Sequence, residues 1–262
     1  MITAGVDIGA KFVKIVVLND SKVASKGMAL GGFDQKTSSL ELFKKLLTEA
    51  GADEKDISFV VATGAGKEEF PKAHDKVTEV TADSKGANVL HPSARTVISV
   101  GAEEGRAIRC DEQGKVVDFA INEKCAAGAG AFTEAMARAL EVNVEELGAL
   151  SLQSNNAVPM NAQCAVFAES EVVSLVHAGT TKEDIARAIH DAIASRISSM
   201  ARRLSIEKDV VLIGGVANNK GFIESLKRDL QMDIFVPEDP EYVSALGAAC
   251  IAHERASAKE GG

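Results

Sequence analysis

The chain has no tryptophan and a single tyrosine in 262 residues. Little aromatic surface is therefore left for stacking nucleic-acid bases. A formal net charge of −9 with no basic patch argues against a general nucleic-acid binder. No stretch approaches the ~18 uninterrupted apolar residues of a membrane span, so no membrane partner is expected. The start, Met1-Ile2-Thr3-Ala4-Gly5-Val6-Asp7, lacks a basic segment followed by an apolar block and a small-residue cleavage site. It reads as a first strand and not as a signal peptide. A cytoplasmic location is expected, where the four cysteines are poor candidates for structural disulfides. No proline-rich or low-complexity linker divides the chain, and only the tail 259–262 reads as disordered.

What is present is ordinary globular composition, 46% hydrophobic and 26% charged, enough for one large or two small domains. Strand patterns fall at about 2–8, 13–18, 58–62, 96–100, 107–110, 116–121 and 210–213. Helical patterns fall at about 39–50, 129–140, 165–176, 185–204, 221–230 and 243–254. The clearest helix has Ile185, Ile189, Ile193, Ile197, Met200 and Leu204 on one stripe, and Thr180 with Glu183 fits a capping box ahead of it. Alternating strands and helices predict an α/β protein. Strand, Asp7-Ile8-Gly9, strand at the start is echoed by strand, Ser99-Val100-Gly101, strand near residue 96. Two related lobes are predicted: 1–95, with the last helix (241–262) packing back on it, and 96–240.

Three loops carry candidate nucleotide chemistry. In Asp7-Ile8-Gly9-Ala10-Lys11-Phe12-Val13-Lys14 a carboxylate beside a glycine suits a hydrated Mg²⁺ near phosphates. Gly9 lets backbone N–H groups approach a phosphate, and Lys11 and Lys14 add positive charge. Taken alone, a plain hairpin turn explains this segment better. Gly101-Ala102-Glu103-Glu104-Gly105 suits the same phosphates, with Glu103 or Glu104 orienting water or metal. A solvated acidic turn explains it equally well. Ile213-Gly214-Gly215-Val216-Ala217-Asn218 runs from a strand through two glycines into a helix, which suits a base and ribose lying on the backbone. Thr63-Gly64-Ala65-Gly66-Lys67 lacks the spacing of a P-loop.

Cys125, in Lys124-Cys125-Ala126-Ala127-Gly128, and Cys164, in Gln163-Cys164-Ala165-Val166-Phe167, each precede an expected helix. A helix N-terminus offers free N–H groups and about half a positive charge, which favour a thiolate. A cubane iron–sulfur cluster takes four thiolates, so two per chain point to one cluster shared by two subunits. Cys110, at a strand end, and Cys250, on the apolar face of the last helix, read as buried packing residues. Zinc fits poorly, because no C-x2-C pair occurs and the five histidines are scattered.

These segments together resemble the ATPase family that includes the 2-hydroxyacyl-CoA dehydratase activators and the nucleotide-binding subunits of ATP-dependent benzoyl-CoA reductase. Lys124-Cys125-Ala126-Ala127-Gly128 and Cys164-Ala165-Val166-Phe167-Ala168-Glu169-Ser170-Glu171 carry the resemblance. Gly214-Gly215-Val216-Ala217-Asn218-Asn219 and Ala245-Leu246-Gly247-Ala248-Ala249 support it. The resemblance implies the actin/Hsp70/sugar-kinase fold, with ATP in a cleft between two duplicated lobes. It implies a [4Fe–4S] cluster held by Cys125 and Cys164 jointly with the same pair of a second, homologous subunit. By the same resemblance Asp7 and Glu104 are catalytic. Gly9, Lys11, Lys14, Gly101, Gly214, Gly215 and Asn218 bind Mg²⁺ and ATP.

Three loops depart from the activator pattern. Ala10 and Lys11 replace the hydroxyls of Asp-x-Gly-Ser-Thr, Ser99 replaces a carboxylate, and Ala65 and Lys67 replace Tyr and Arg. On those departures the chain looks most like the D-type ATPase component of benzoyl-CoA reductase. That component would work with a homologous ATPase subunit, catalytic acyl-CoA-binding subunits and reduced ferredoxin. A homodimeric dehydratase activator is the alternative. A small-molecule kinase of the same fold and a non-catalytic nucleotide sensor are further alternatives.

Overall fold

A computed structural model describes residues 1–122, 128–160 and 164–260. The described chain divides into two compact units. One comprises Met1–Ala94, Cys110–Val116 and Tyr242–Gly262; the other comprises Arg95–Arg109 and Val117–Glu241.

The first unit is built on β1 (Ile2–Ile8), β2 (Phe12–Asn19), β3 (Lys22–Leu30), β4 (Ile57–Thr63) and β5 (Asp75–Lys76), in the order β3-β2-β1-β4-β5. β1 and β2 form an antiparallel hairpin, while β1 and β4 run parallel. β1 is buried on both faces, hence its near-continuous apolar run. Ala4, Val6 and Ile8 pack with Leu42, Phe43, Leu46 and Leu47 of α1 (Gln35–Glu49), whose N-cap Asp34 accepts from Thr37 N. The other face meets the C-terminal helix, described below, against which α2 (Glu79–Leu90) packs.

The second unit repeats the plan. β6 (Thr96–Val100), β7 (Gly105–Cys110), β8 (Val116–Asn122), β9 (Val210–Ile213) and β10 (Ile234–Phe235) lie in the order β10-β9-β6-β7-β8. Again the first two strands, β6 and β7, are antiparallel, and the parallel partner, β9, lies on the other side of β6. Helices α3 (Ala129–Ala139), α4 (Val144–Ser151), α5 (Ala165–His177), α6 (Lys182–Ala201) and α7 (Lys220–Leu230) share one apolar core with this sheet. The apolar stripe of α6 is buried as its spacing requires. Its cap lies one residue beyond the expected one: Thr181 Oγ1 accepts from Asp184 N at 3.2 Å.

The final helix, α8 (Val243–Glu260), closes the first unit against β1, β2, β4 and α2, and it continues two residues into the tail expected to be disordered. Five strands and helices of the described chain have no counterpart among the expected ones: β3, the two-residue strands β5 and β10, α2 and α4. β3 is an exposed edge strand with lysines, serine and glycine, so its pattern is not apolar.

α8 approaches its neighbours backbone to backbone. A Cβ on Gly247 would stand well inside contact with the Ala82 carbonyl and 2.7 Å from Gly86 N. A Cβ on Gly5 would strike the carbonyl of Ala245 and the amide of Ala249. Gly247→Ala should therefore cost about 3 kcal/mol, the upper range of overpacking, read as a lower urea midpoint.

His190 of α6 is fully buried, and its Nδ1 lies 2.9 Å from the Ala186 carbonyl. Burial lowers its pKa to about 4. The unfolded imidazole takes its proton near the ordinary value of about 6.5, so stability falls as pH drops from there towards 4. This residue should make the protein about 2 kcal/mol less stable at pH 5 than at pH 7. His190→Leu should remove that share of the pH dependence in urea titrations.

Candidate nucleotide and cluster site

The two units place the same backbone device at the ends of their parallel strands. In the first, Gly64 follows β4 with φ +93°, and a Cβ there would strike the Ile8 carbonyl and stand 2.7 Å from Asp7 Oδ1. In the second, Gly214 follows β9, also with φ +93°, and a Cβ would strike the Val100 carbonyl. Both the left-handed backbone and the closeness exclude a side chain. The hairpin turns match too: Gly9 N donates to Phe12 O at 3.0 Å, and Gly101 N donates to Glu104 O at 2.9 Å.

The side chains on this shared frame differ. Asp7 pairs in register with Lys14 across the hairpin and with Thr63 across the parallel pair. Its equivalent, Ser99, pairs with Arg106 and Ile213. Asp7 is buried, and its Oδ2 accepts from Lys14 Nζ at 3.0 Å. Thr63 Oγ1 is buried with no hydrogen-bond partner among the described residues, an orphan that a ligand or bound water would satisfy. Lys11 is exposed, its ammonium 5.6 Å from the Phe12 ring centroid.

With serine at position 99, Arg106 has no carboxylate opposite and pairs with Glu104, Nη2 to Oε2 2.5 Å. Glu104 is thus half-exposed and already engaged by a cation. Gly215 opens onto space, with nothing within 4 Å of where a Cβ would stand. That is room for a flat group on the backbone. A 3-10 turn, Gly215–Asn218, precedes α7, where a direct helix start was expected. Asn218 Nδ2 donates to Glu241 Oε2 at 2.9 Å, and Asn219 caps α7.

Cys164 is exposed and is the N-cap of α5, without a side-chain cap bond. Its sulfur lies at the positive end of a helix, a setting that fits a thiolate ligand of an anionic cluster. Cys125 lies outside the described residues. Cys110 is buried, its Sγ 3.5 Å from the Ala94 carbonyl, and Cys250 is half-buried with its thiol pKa raised by burial. Among the described residues no group of three or more His, Cys, Asp or Glu side chains is arranged to hold a metal ion. No helix among them is long and apolar enough to cross a membrane.

Sequence reasoning missed Asp184. Its carboxylate accepts from Ser154 Oγ (2.7 Å), Asn156 Nδ2 (3.1 Å) and Asn156 N (3.3 Å), tying the segment before Cys164 to the start of α6. The bonds from Ser154 and Asn156 lower its pKa to about 2. The spacing Thr181-x-x-Asp184 was the available signal.

The sequence model of the BadF/BadG/BcrA/BcrD ATPase family matches residues 4–252. The chain belongs to this ATPase family. It is 39% identical to the activator of lactoyl-CoA dehydratase of Anaerotignum propionicum, over 99% of this chain and all of that one. It is 34% identical to the D-type component of benzoyl-CoA reductase of Thauera aromatica, over 95% and 92% of the two chains. Among solved structures, the Clostridium difficile activator of 2-hydroxyisocaproyl-CoA dehydratase with bound ADPNP superposes with a TM-score of 0.93. It is 35% identical, covering 100% of this chain and 97% of that one. A Streptomyces griseus ROK-family glucokinase, 13% identical over 97% of this chain and 100% of that one with a TM-score of 0.58, shows the sugar-kinase-like fold alone. Family and fold are those the motifs implied. Within the family, the likeness leans to the dehydratase activators and away from the D-type reductase component that the loop departures suggested.

Asp184→Asn should speed protease cleavage within 152–160 at pH 7, measured by limited proteolysis. In the wild type the tether should persist until pH falls towards about 2, because a lowered carboxylate pKa gives stability that is lost only on acidification through it.

Proposed function

We propose that this protein is the ATP-dependent activator of a 2-hydroxyacyl-CoA dehydratase, a homodimer holding one [4Fe–4S] cluster between its subunits. The observation that carries the reading is end-to-end similarity to dehydratase activators, including one solved with ADPNP bound. Cys164 supports the cluster: a single exposed thiol at a helix N-terminus, offering half of its chain's two thiolates. Beside it α5 exposes Val166, Phe167, Val173 and Val176. Apolar surface of this extent next to the thiol favours a covering surface, and a second copy brings the missing pair of cysteines.

In this reading Asp7 holds a hydrated Mg²⁺, with Lys14 fixing the carboxylate and Gly9 keeping the turn open to phosphate. The Gly101 turn and Glu104 serve the phosphates and attacking water in the second unit. Gly214, Gly215 and Asn218 take the base and ribose, and Lys11 adds exposed positive charge. Cys125 and Cys164 hold the cluster, which supplies single low-potential electrons when bound. Reduced ferredoxin is the donor, and the dehydratase is the acceptor. Ala10, Lys11 and Ser99 favour a second reading, the ATPase subunit of benzoyl-CoA reductase with a homologous partner.

Anaerobic purification should give a brown homodimer with about four irons per pair of chains. Cys125→Ser and Cys164→Ser should each lose the iron and keep ADP binding. Activity should appear with a 2-hydroxyacyl-CoA dehydratase and not with benzoyl-CoA reductase catalytic subunits; the reverse selects the second reading. Iron retained in Cys164→Ser would remove the cluster assignment. Asp7→Asn should lower ATPase kcat by at least about 10²-fold, the order of one lost electrostatic group at a reacting centre.

A further inference from the structure

A helix needs acceptors for its first N–H groups, and the N-cap of α3, Gly128, has no side chain to give one. The acceptors come from the β6–β7 turn. Gly130 N donates to the Gly101 carbonyl at 3.1 Å, and Ala131 N donates to the Ala102 carbonyl at 3.0 Å. The approach is close. A Cβ on Gly128 would collide with the backbone of Glu103, and one on Gly130 would stand 2.9 Å from Ala102 Cα. Behind the contact lies a cavity of only about 10 Å³, lined by Glu103, Asn122, Gly128, Ala129 and Arg196 among others. That is room for a single water at most. Arg196 of α6 lies over the Phe132 ring, 4.4 Å from its centroid, and backs the first turn of α3. The turn therefore has two jobs. One is the phosphate role given above to the Gly101–Glu104 turn; the other belongs to its carbonyls, which cap the helix that begins four residues after Cys125.

We propose that Gly128 and Gly130 are positioning residues that couple the Gly101–Glu104 turn to the cluster-side helix α3, by letting that turn's carbonyls serve as the helix cap. The inference rests on the reading that this turn binds nucleotide phosphate. A turn held by phosphate holds the first turn of α3 with it. A turn that moves withdraws two acceptors from the helix end, within one unit and without any rearrangement of the core.

The test uses cluster-free wild-type protein and follows amide hydrogen exchange in peptides covering 128–136, with and without ADP or a non-hydrolysable ATP analogue. Nucleotide should slow exchange at the α3 start by about fivefold, the equivalent of roughly 1 kcal/mol, one hydrogen bond. Gly130→Ala should bind ADP as the wild type does and lose this protection. In the wild type nucleotide should also change the rate of Cys125 alkylation, and in Gly130→Ala that change should vanish. Ala131→Pro, which deletes one donor in the first turn of α3, where no intrahelical bond is lost, should behave alike and serves if Gly130→Ala does not fold. Wild-type protein that binds nucleotide but shows unchanged α3 exchange would overturn the coupling. So would either variant keeping the protection. Protein that binds no nucleotide at all would instead refute the reading beneath it.

Discussion

Both units turn on one steric constraint: a residue without a side chain, in left-handed conformation, lies against the carbonyl that ends the neighbouring parallel strand. Gly64 over Ile8 and Gly214 over Val100 hold the strand ends close enough for the hairpin turns Gly9–Phe12 and Gly101–Glu104 to sit beside them. Every candidate nucleotide residue except Asn218 lies on, or within two residues of, one of these devices. The duplication is therefore a duplication of backbone, and the chemistry has diverged on top of it.

That divergence follows charge. The first unit keeps a buried carboxylate, Asp7, answered by Lys14. In the second, serine replaces the carboxylate, and the cation at the equivalent of Lys14, Arg106, takes a partner two residues back along the chain, in the turn before its strand. A cation 15% exposed is costly to leave without a counter-charge, and Glu104 supplies one where the first unit has Phe12. Glu104 is thus explained by local electrostatics as well as by any role with water or metal.

The sequence made the first-order fold legible where patterns were strong. β1, β6, β9 and α6 announce themselves by apolar runs or stripes, and the repeat of Asp7-Ile8-Gly9 by Ser99-Val100-Gly101 pointed to two lobes. Weakly patterned elements stayed hidden. α2 carries Thr81, Ser84 and Gly86, poor helix formers, because its inner face must admit α8. Site geometry was less legible, since Asp184 acts through Ser154 and Asn156, thirty and twenty-eight residues upstream. The subfamily was less legible for a related reason. Ala10, Lys11 and Ser99 are three local changes, whereas the 39% identity with a dehydratase activator is spread over the whole chain.

α8 joins the first sheet only after the chain has passed through the entire second unit. During synthesis β1 to β5 must wait, with Gly5 and its neighbours uncovered, while residues 95–241 emerge with their own sheet and core complete. The unit nearest the amino terminus is then the last to finish folding, and its unfilled groove is the stretch of nascent chain most in need of shielding by a chaperone.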